Sequence, residues 1–241
     1  MEREAASGVT SAYPQVVVVA VVLPSPLLGF ATYEPLVTEL TGLAGWRAGM
    51  AALPADPSDP RDVLAAFARA TERADVVVAH SNAGYYLPAL SARTDAPIIA
   101  MDAALPRGQE RETPLAPTQF ADFLAGLPQP GGRLPPWPEW WPAAQVEPLF
   151  PTPDWFERVL AEAPRLRPSY FEGRLPVPVG WAAGRRAFLA FGDTYAAELA
   201  FATAAGWQVA RLDGGHLEHV AHPSRVAHSL AHLASRLLVS A

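Results

Sequence analysis

Residues 74–90 read ADVVVAHSNAGYYLPAL. Three valines and an alanine run into His80-Ser81-Asn82, and the small pair Ala83-Gly84 follows. A short apolar run rich in β-branched residues and bounded by small residues is the pattern of a strand covered on both faces. A serine at its end, among residues this small, suits a strand-to-helix turn too tight for larger side chains. Such a turn lifts a serine hydroxyl above the carboxyl edge of a sheet, at a helix N-terminus whose N–H groups favour a developing oxyanion. A serine that merely caps a helix gives the same local pattern, so the remaining sequence has to supply partners.

A base is present in LDGGHLEHVAHP, residues 212–223. His216 follows two glycines, which suit a loop that must project an imidazole across the strand ends. Serine at its ordinary pKa is a weak nucleophile and needs such a base. A carboxylate should orient the imidazole, and two aspartates qualify. Asp193 ends AFLAFGD, residues 187–193, and Asp102 ends the strand in APIIAMDAALP, residues 96–106. Either can reach a histidine loop at the sheet edge; either can also serve only its own turn.

Strand and helix signals alternate along the chain. Strands are expected at residues 16–23, 48–53 and 76–79, and in APIIAMDAALP (96–106, with its turn), AFLAFGD (187–193) and WQVARLDGG (207–215). Helices are expected at 33–43, 61–73, after Ser81 with a kink at Pro88, at 196–205 and at 224–238. DPSDPRDV, residues 56–63, breaks the chain and caps the second helix. Residues 1–13 read as a loose tail. From 107 to 181 the texture changes: proline is dense, and LPPWPEWWP, residues 134–142, packs three tryptophans into nine residues. Short helices are expected there at 118–127 and 153–163. The fold class is therefore α/β, a mostly parallel sheet flanked by helices. Its core is residues 1–106 and 182–241, and residues 107–181 form an inserted cap.

Composition excludes several functions. The chain has 241 residues, a formal net charge of -6 and no basic block, which argues against nucleic acid as a partner. All 18 basic residues are arginine. Without lysine there is no Schiff-base chemistry and no P-loop lysine. Without cysteine there is no thiol nucleophile or thiolate metal site. VVVVAVVLPSPLLGFA, residues 16–31, is too short and too broken by prolines to span a membrane. The acidic residues before it do not suit a signal peptide. The expected protein is cytoplasmic, free of cofactor and membrane, with a small acyl compound as its partner; a homodimer is left open.

With these residues in place the chain resembles the α/β-hydrolase-fold proteins, over essentially residues 14–240. PSPLLGFATYEPLVTEL, residues 24–40, is similar to the family's oxyanion loop and following helix, AHSNAG to its nucleophile turn, and LDGGHLEHVAHP to its histidine loop. The closest likeness is to bacterial hydrolases with a Pro/Trp-rich cap. The resemblance implies Ser81 as nucleophile, His216 as base and, from chain order, Asp193 as acid, with Asp102 the alternative. It implies an oxyanion donor at the N–H of Asn82. The second donor is in question, because Pro26 stands where the family's donor is expected and proline has no N–H. Leu27 or the Ser25 hydroxyl is the substitute. Trp137, Trp140, Trp141 and Tyr85 are expected to line the substrate pocket; Trp155, Trp181, Tyr170 and Phe171 share the same stretch. Arg133 and Glu139 suit the surface better than a substrate.

The implied reaction is hydrolysis of a carboxylic ester, thioester or lactone. A lyase or cyclase on the same fold is the alternative. A silent binding protein fits the Ser/Asp/His order less well. A metal hydrolase would use His216, His219, His222 and Glu218, but the flanking glycines and Pro223 oppose one helical register.

Overall fold

The computed structural model describes residues 17–107 and 110–239; the expected N-terminal tail lies outside them. The first strand, β1 (Val18–Leu23), sits inside the sheet and is buried from Ala20 onward. The chain then forms α1 (Glu34–Gly42), β2 (Trp46–Met50), α2 (Pro60–Thr71), β3 (Val76–Ser81), α3 (Leu87–Ser91) and β4 (Ile98–Ala103). Beyond β4 it leaves the sheet. The short strands β5 (Glu112–Pro114) and β6 (Arg174–Pro176) pair antiparallel. Between them lie α4 (Thr118–Ala125), α5 (Ala143–Val146), α6 (Pro153–Glu162) and α7 (Ser169–Glu172). The sheet resumes with β7 (Arg186–Phe191), α8 (Ala196–Ala204) and β8 (Gln208–Leu212), and α9 (Glu218–Ala221) and α10 (Pro223–Val239) follow.

The six main strands are all parallel, in the order β2-β1-β3-β4-β7-β8. Burial explains their composition. β3 and β4 are buried at every position, whereas the edge strands β2 and β8 alternate between exposed and half-buried. Strands covered on both faces must be continuously apolar; edges need not be. Helix ends follow local chemistry as well. Asp59 accepts a hydrogen bond from the Arg61 N–H at 2.8 Å and Pro60 opens the first turn of α2. The α10 stripe of Val226, Leu230, Leu233 and Leu237 is buried, and His228 and His232 lie on its exposed side.

The strand order places the site. The chain runs from β1 outward to β2, then returns to β3 on the other side of β1. Connections leaving β1 and β3 therefore diverge, which opens a crevice at their carboxyl ends. The loop after β1 and the turn after β3 both face it.

Two expectations are corrected. After Ser81 the chain makes a 3-10 turn, Asn82–Tyr86, before α3 begins. Pro88 sits in the first turn of α3, where a missing N–H breaks no helical bond. A change of helix type thus replaces the kink. No helix among the described residues is long and apolar enough to cross a membrane.

Candidate active site

Ser81 ends β3 with φ 57° and ψ −129°. A non-glycine residue rarely adopts a positive φ, and the strain persists only where packing enforces it. Enforcement comes from Gly84. A Cβ at that position would stand 2.0 Å from the Ala104 carbonyl oxygen. The Ala104 N–H donates to the Ser81 carbonyl at 3.0 Å, stitching the turn to the end of β4. The glycine this turn needs is thus the third residue after the serine; Ala79 and Ala83, both fully buried, satisfy the nearer positions.

Asp102 is the other non-glycine residue at positive φ among the described residues, at 41°. His80 pairs with Met101 and Ser81 with Ala103, so Asp102 is the extra residue of a bulge. A bulge re-aims a side chain. Here the fully buried carboxylate turns across the end of β7, where Oδ1 accepts the Phe191 N–H at 2.9 Å. Its Oδ2 accepts from His216 Nδ1 at 2.7 Å, and His216 Nε2 stands 3.0 Å from Ser81 Oγ. Asp102 fixes the tautomer: with the proton on Nδ1, Nε2 is free to accept the serine proton.

Asp193 is elsewhere. Its side chain is 80% exposed and pairs with Arg211 at 3.0 Å. Chain order pointed to the strand after the insertion, but the bulge in β4 carries the carboxylate that reaches the imidazole. The glycines of the histidine loop leave room for neighbouring side-chain ends. A Cβ on Gly214 would meet the Glu218 carboxylate at 2.2 Å, and one on Gly215 would meet Leu149 at 2.7 Å.

The loop after β1 is a turn in which the Leu28 N–H donates to the Ser25 carbonyl at 3.0 Å. Ser25 is fully buried. Its hydroxyl accepts the Leu27 N–H only at 3.4 Å, a weak bond. Leu27 lines the cavity above Ser81 and Ser25 does not. Of the two substitutes for Pro26, Leu27 is the one at the cavity. Asn82 also lines it, with its side-chain amide held by the Leu115 carbonyl at 3.0 Å.

A buried polar chain beneath Ser81 and His216 carried no sequence signal that was read. Tyr33 Oη accepts the Ser25 N–H at 2.7 Å and lies 2.9 Å from His80 Nδ1. His80 Nε2 is 3.1 Å from the His216 carbonyl oxygen. A neutral His80 protonated on Nε2 satisfies all three bonds: Tyr33 donates to Nδ1, and Nε2–H donates to His216. One imidazole thereby ties the loop after β1 to the histidine loop. The expectable signal was the position of His80 itself, a fully buried polar residue beside Ser81.

His219 and His222 do not join His216. His219 stacks on Tyr33 with ring centroids 5.2 Å apart, and His222 Nδ1 meets Glu218 at 2.9 Å. No group of three or more metal-binding side chains occurs among the described residues.

Burial holds the His80 imidazole well below its ordinary pKa of 6.5 and lowers His219 to about 3. The unfolded chain therefore binds protons below pH 6.5 that the native state refuses. Both histidines are neutral in either state above that pH, so their effect appears only as pH falls. Stability should drop by about 1.4 kcal/mol per pH unit for each histidine below pH 6. Urea denaturation at pH 7.5 and at pH 5 tests this. His219→Phe should flatten the decline, and an unchanged slope in that variant would refute the assignment.

The cavity above Ser81 and His216 measures about 660 Å³. Trp137, Trp141 and Tyr85 line it; Trp137 lies 6.0 Å from the His216 ring. Trp140 does not. It is buried, with its Nε1–H donated to the Pro135 carbonyl at 2.8 Å. Trp155 lies under Arg158, and Trp181 packs between Phe201 and Trp207. Tyr170 and Phe171 are buried against one another. Arg133 grips Asp56 at 2.8 and 2.6 Å, and Glu139 is exposed. Phe120, Arg107, Glu198 and Tyr195 also line the cavity and carried no sequence signal.

No protein-family model and no curated protein matches the chain. Solved structures do. An extracellular α/β-hydrolase from a Paenibacillus species superposes with a TM-score of 0.70 at 11% identity, over 90% of this chain and 98% of that one. An enol-lactonase from Burkholderia xenovorans gives 0.58 at 15% identity, over 91% and 92%. A pyrethroid hydrolase from Sphingobium faniae gives 0.54 at 17% identity, over 91% and 98%.

Proposed function

From a chain that has the α/β-hydrolase fold, we propose a serine hydrolase acting on a carboxylic ester, thioester or lactone. The single observation carrying this reading is the continuous contact Ser81 Oγ, His216 Nε2, His216 Nδ1, Asp102 Oδ2, at 3.0 and 2.7 Å. Ser81 Oγ attacks the acyl carbon while His216 takes its proton. Asp102 holds the resulting imidazolium, as in other Ser-His-Asp sites. The N–H groups of Asn82 and Leu27 receive the oxyanion. The leaving alcohol or thiol takes the proton from Nε2. Water, activated by the same imidazole, then releases the acid and restores Ser81. The neighbours named as a lactonase and a pyrethroid hydrolase support this class of bond.

A fluorophosphonate probe tests the reading. It should label one site per chain, and peptide mass analysis should find it on Ser81. Labelling elsewhere, or none, would favour the second reading, a lyase or cyclase on this fold. Pro26 supports that alternative, because a reaction without a tetrahedral oxyanion tolerates a missing donor.

Residues 107–181 act in this reading as a cap that selects substrates. Trp141, 36% exposed at the cavity, stacks on Phe123 with centroids 5.5 Å apart. Trp141→Ala should lower kcat/KM for bulky aromatic esters about tenfold relative to an acetyl ester. Trp140→Ala should instead lower Tm, since it empties a buried site. The reverse pattern would mean that the two roles are exchanged.

A further inference from the structure

Glu198 is a carboxylate in an aromatic setting. It lies in the first turn of α8, is 9% exposed, and lines the cavity that holds Ser81. Its ion pair is sparse: Arg107 Nε meets one carboxylate oxygen at 3.4 Å, and the Arg107 side chain is 54% exposed. Tyr85 lies within electrostatic reach of both; burial first, then Glu198, pushes its hydroxyl up to about 12, and Arg107 opposes that shift. Tyr85, Arg107 and Glu198 also line a neighbouring cavity of about 560 Å³, bordered by Thr113, Thr118 and Arg174. These three residues therefore stand where two chambers adjoin, one holding Ser81 and the other of mixed lining, with Glu110, Glu112 and Arg174 beside Leu105 and Val177.

We propose that the Arg107–Glu198 pair, with Tyr85, is a specificity site for a neutral donor–acceptor group, an amide or a hydroxyl, carried on the far end of the acyl substrate. The inference rests on the hydrolase reading of the triad. The pair offers an acceptor and a donor side by side with no net charge. An amide or hydroxyl satisfies both. A carboxylate meets Arg107 but is repelled by Glu198, and an ammonium group meets the reverse. An alkyl end strips water from both charges and returns no hydrogen bond. The preferred substrate is then two-ended, with an apolar portion against Trp137 and Phe120 and a neutral polar tail at the junction.

A matched series of para-nitrophenyl esters tests this. The acyl chains are of graded length and end in methyl, primary amide, carboxylate or trimethylammonium. At the best length the amide ester should exceed the methyl ester in kcat/KM by about tenfold, and both charged esters should fall below it. Glu198→Gln should invert the order in favour of the carboxylate, and Arg107→Gln in favour of the ammonium. Ranking by hydrophobicity alone overturns the proposal. So does an equal loss on all four esters with a fall in Tm, which would make the pair a strut between α8 and the inserted segment. Calorimetric binding of the same four tails, on non-hydrolysable methyl ketones, to Ser81→Ala keeps the two readings apart. An amide preference there without turnover in the native protein sustains the specificity site and ends the hydrolase reading. Turnover without that preference does the opposite.

Discussion

Ser81→Ala should abolish the proposed ester hydrolysis, with kcat reduced by about 10⁶-fold, the order seen when the serine of a Ser-His-Asp site is removed. The residual rate reflects binding and the oxyanion donors alone. The variant should fold as well as the parent, or better. Alanine at φ 57° carries the same backbone strain as serine, and the lost hydroxyl takes a partner from His216 Nε2 and from the Tyr195 hydroxyl, both of which line the cavity. Thermal denaturation and circular dichroism must therefore match before rates are compared. Fluorophosphonate labelling should vanish together with the rate. A variant that retains a tenth of the activity or more would rule out the acyl-enzyme.

The fold and two of the three contact residues were legible because their signals are local. Ser81 follows a run of buried valines, and His216 follows two glycines. The third, Asp102, was legible only as the alternative, because what singles it out is a register shift between strands. Nothing in MDAALP announces that Met101 and Ala103 pair with consecutive residues of β3, leaving Asp102 to bulge. Chain order made Asp193 in FGD, residues 191–193, look the better site. The glycine there serves packing: at φ 59°, a Cβ on Gly192 would meet the Gly214 carbonyl oxygen at 2.5 Å. The tryptophans divide for a similar reason. Trp140 and Trp141 are adjacent and identical in type, so only the local 3-10 turn at Trp137–Glu139 decides which indole turns inward to the Pro135 carbonyl. Tyr33 and His80 were hidden because a hydrogen-bonded chain 47 residues apart in sequence leaves no periodic trace.

Asp102→Asn should reduce kcat by about 10⁴-fold, the size of effect that loss of the orienting carboxylate has in Ser-His-Asp enzymes. The argument is one of proton placement. Asp102 accepts two hydrogen bonds, from the Phe191 N–H and from His216 Nδ1. Asparagine can keep the first only by giving its oxygen to Phe191. Its amide nitrogen then faces Nδ1 and donates to it. That forces the imidazole proton onto Nε2, which can no longer accept from Ser81. The imidazolium formed during attack also loses its buried counter-charge. Asp193→Asn removes only an exposed pair with Arg211. Such pairs contribute little, so activity should change less than twofold. Because both backbone and side chain hold Asp102 in its bulge, Tm belongs in the comparison. Asparagine preserves the shape and tolerates positive φ, so the fold should survive. Fluorophosphonate labelling of Ser81 should slow in parallel with kcat, since both depend on the base. If Asp193→Asn proves crippled and Asp102→Asn active, with both folded, then the carboxylate beside His216 in this structure is not the one that orients it during turnover.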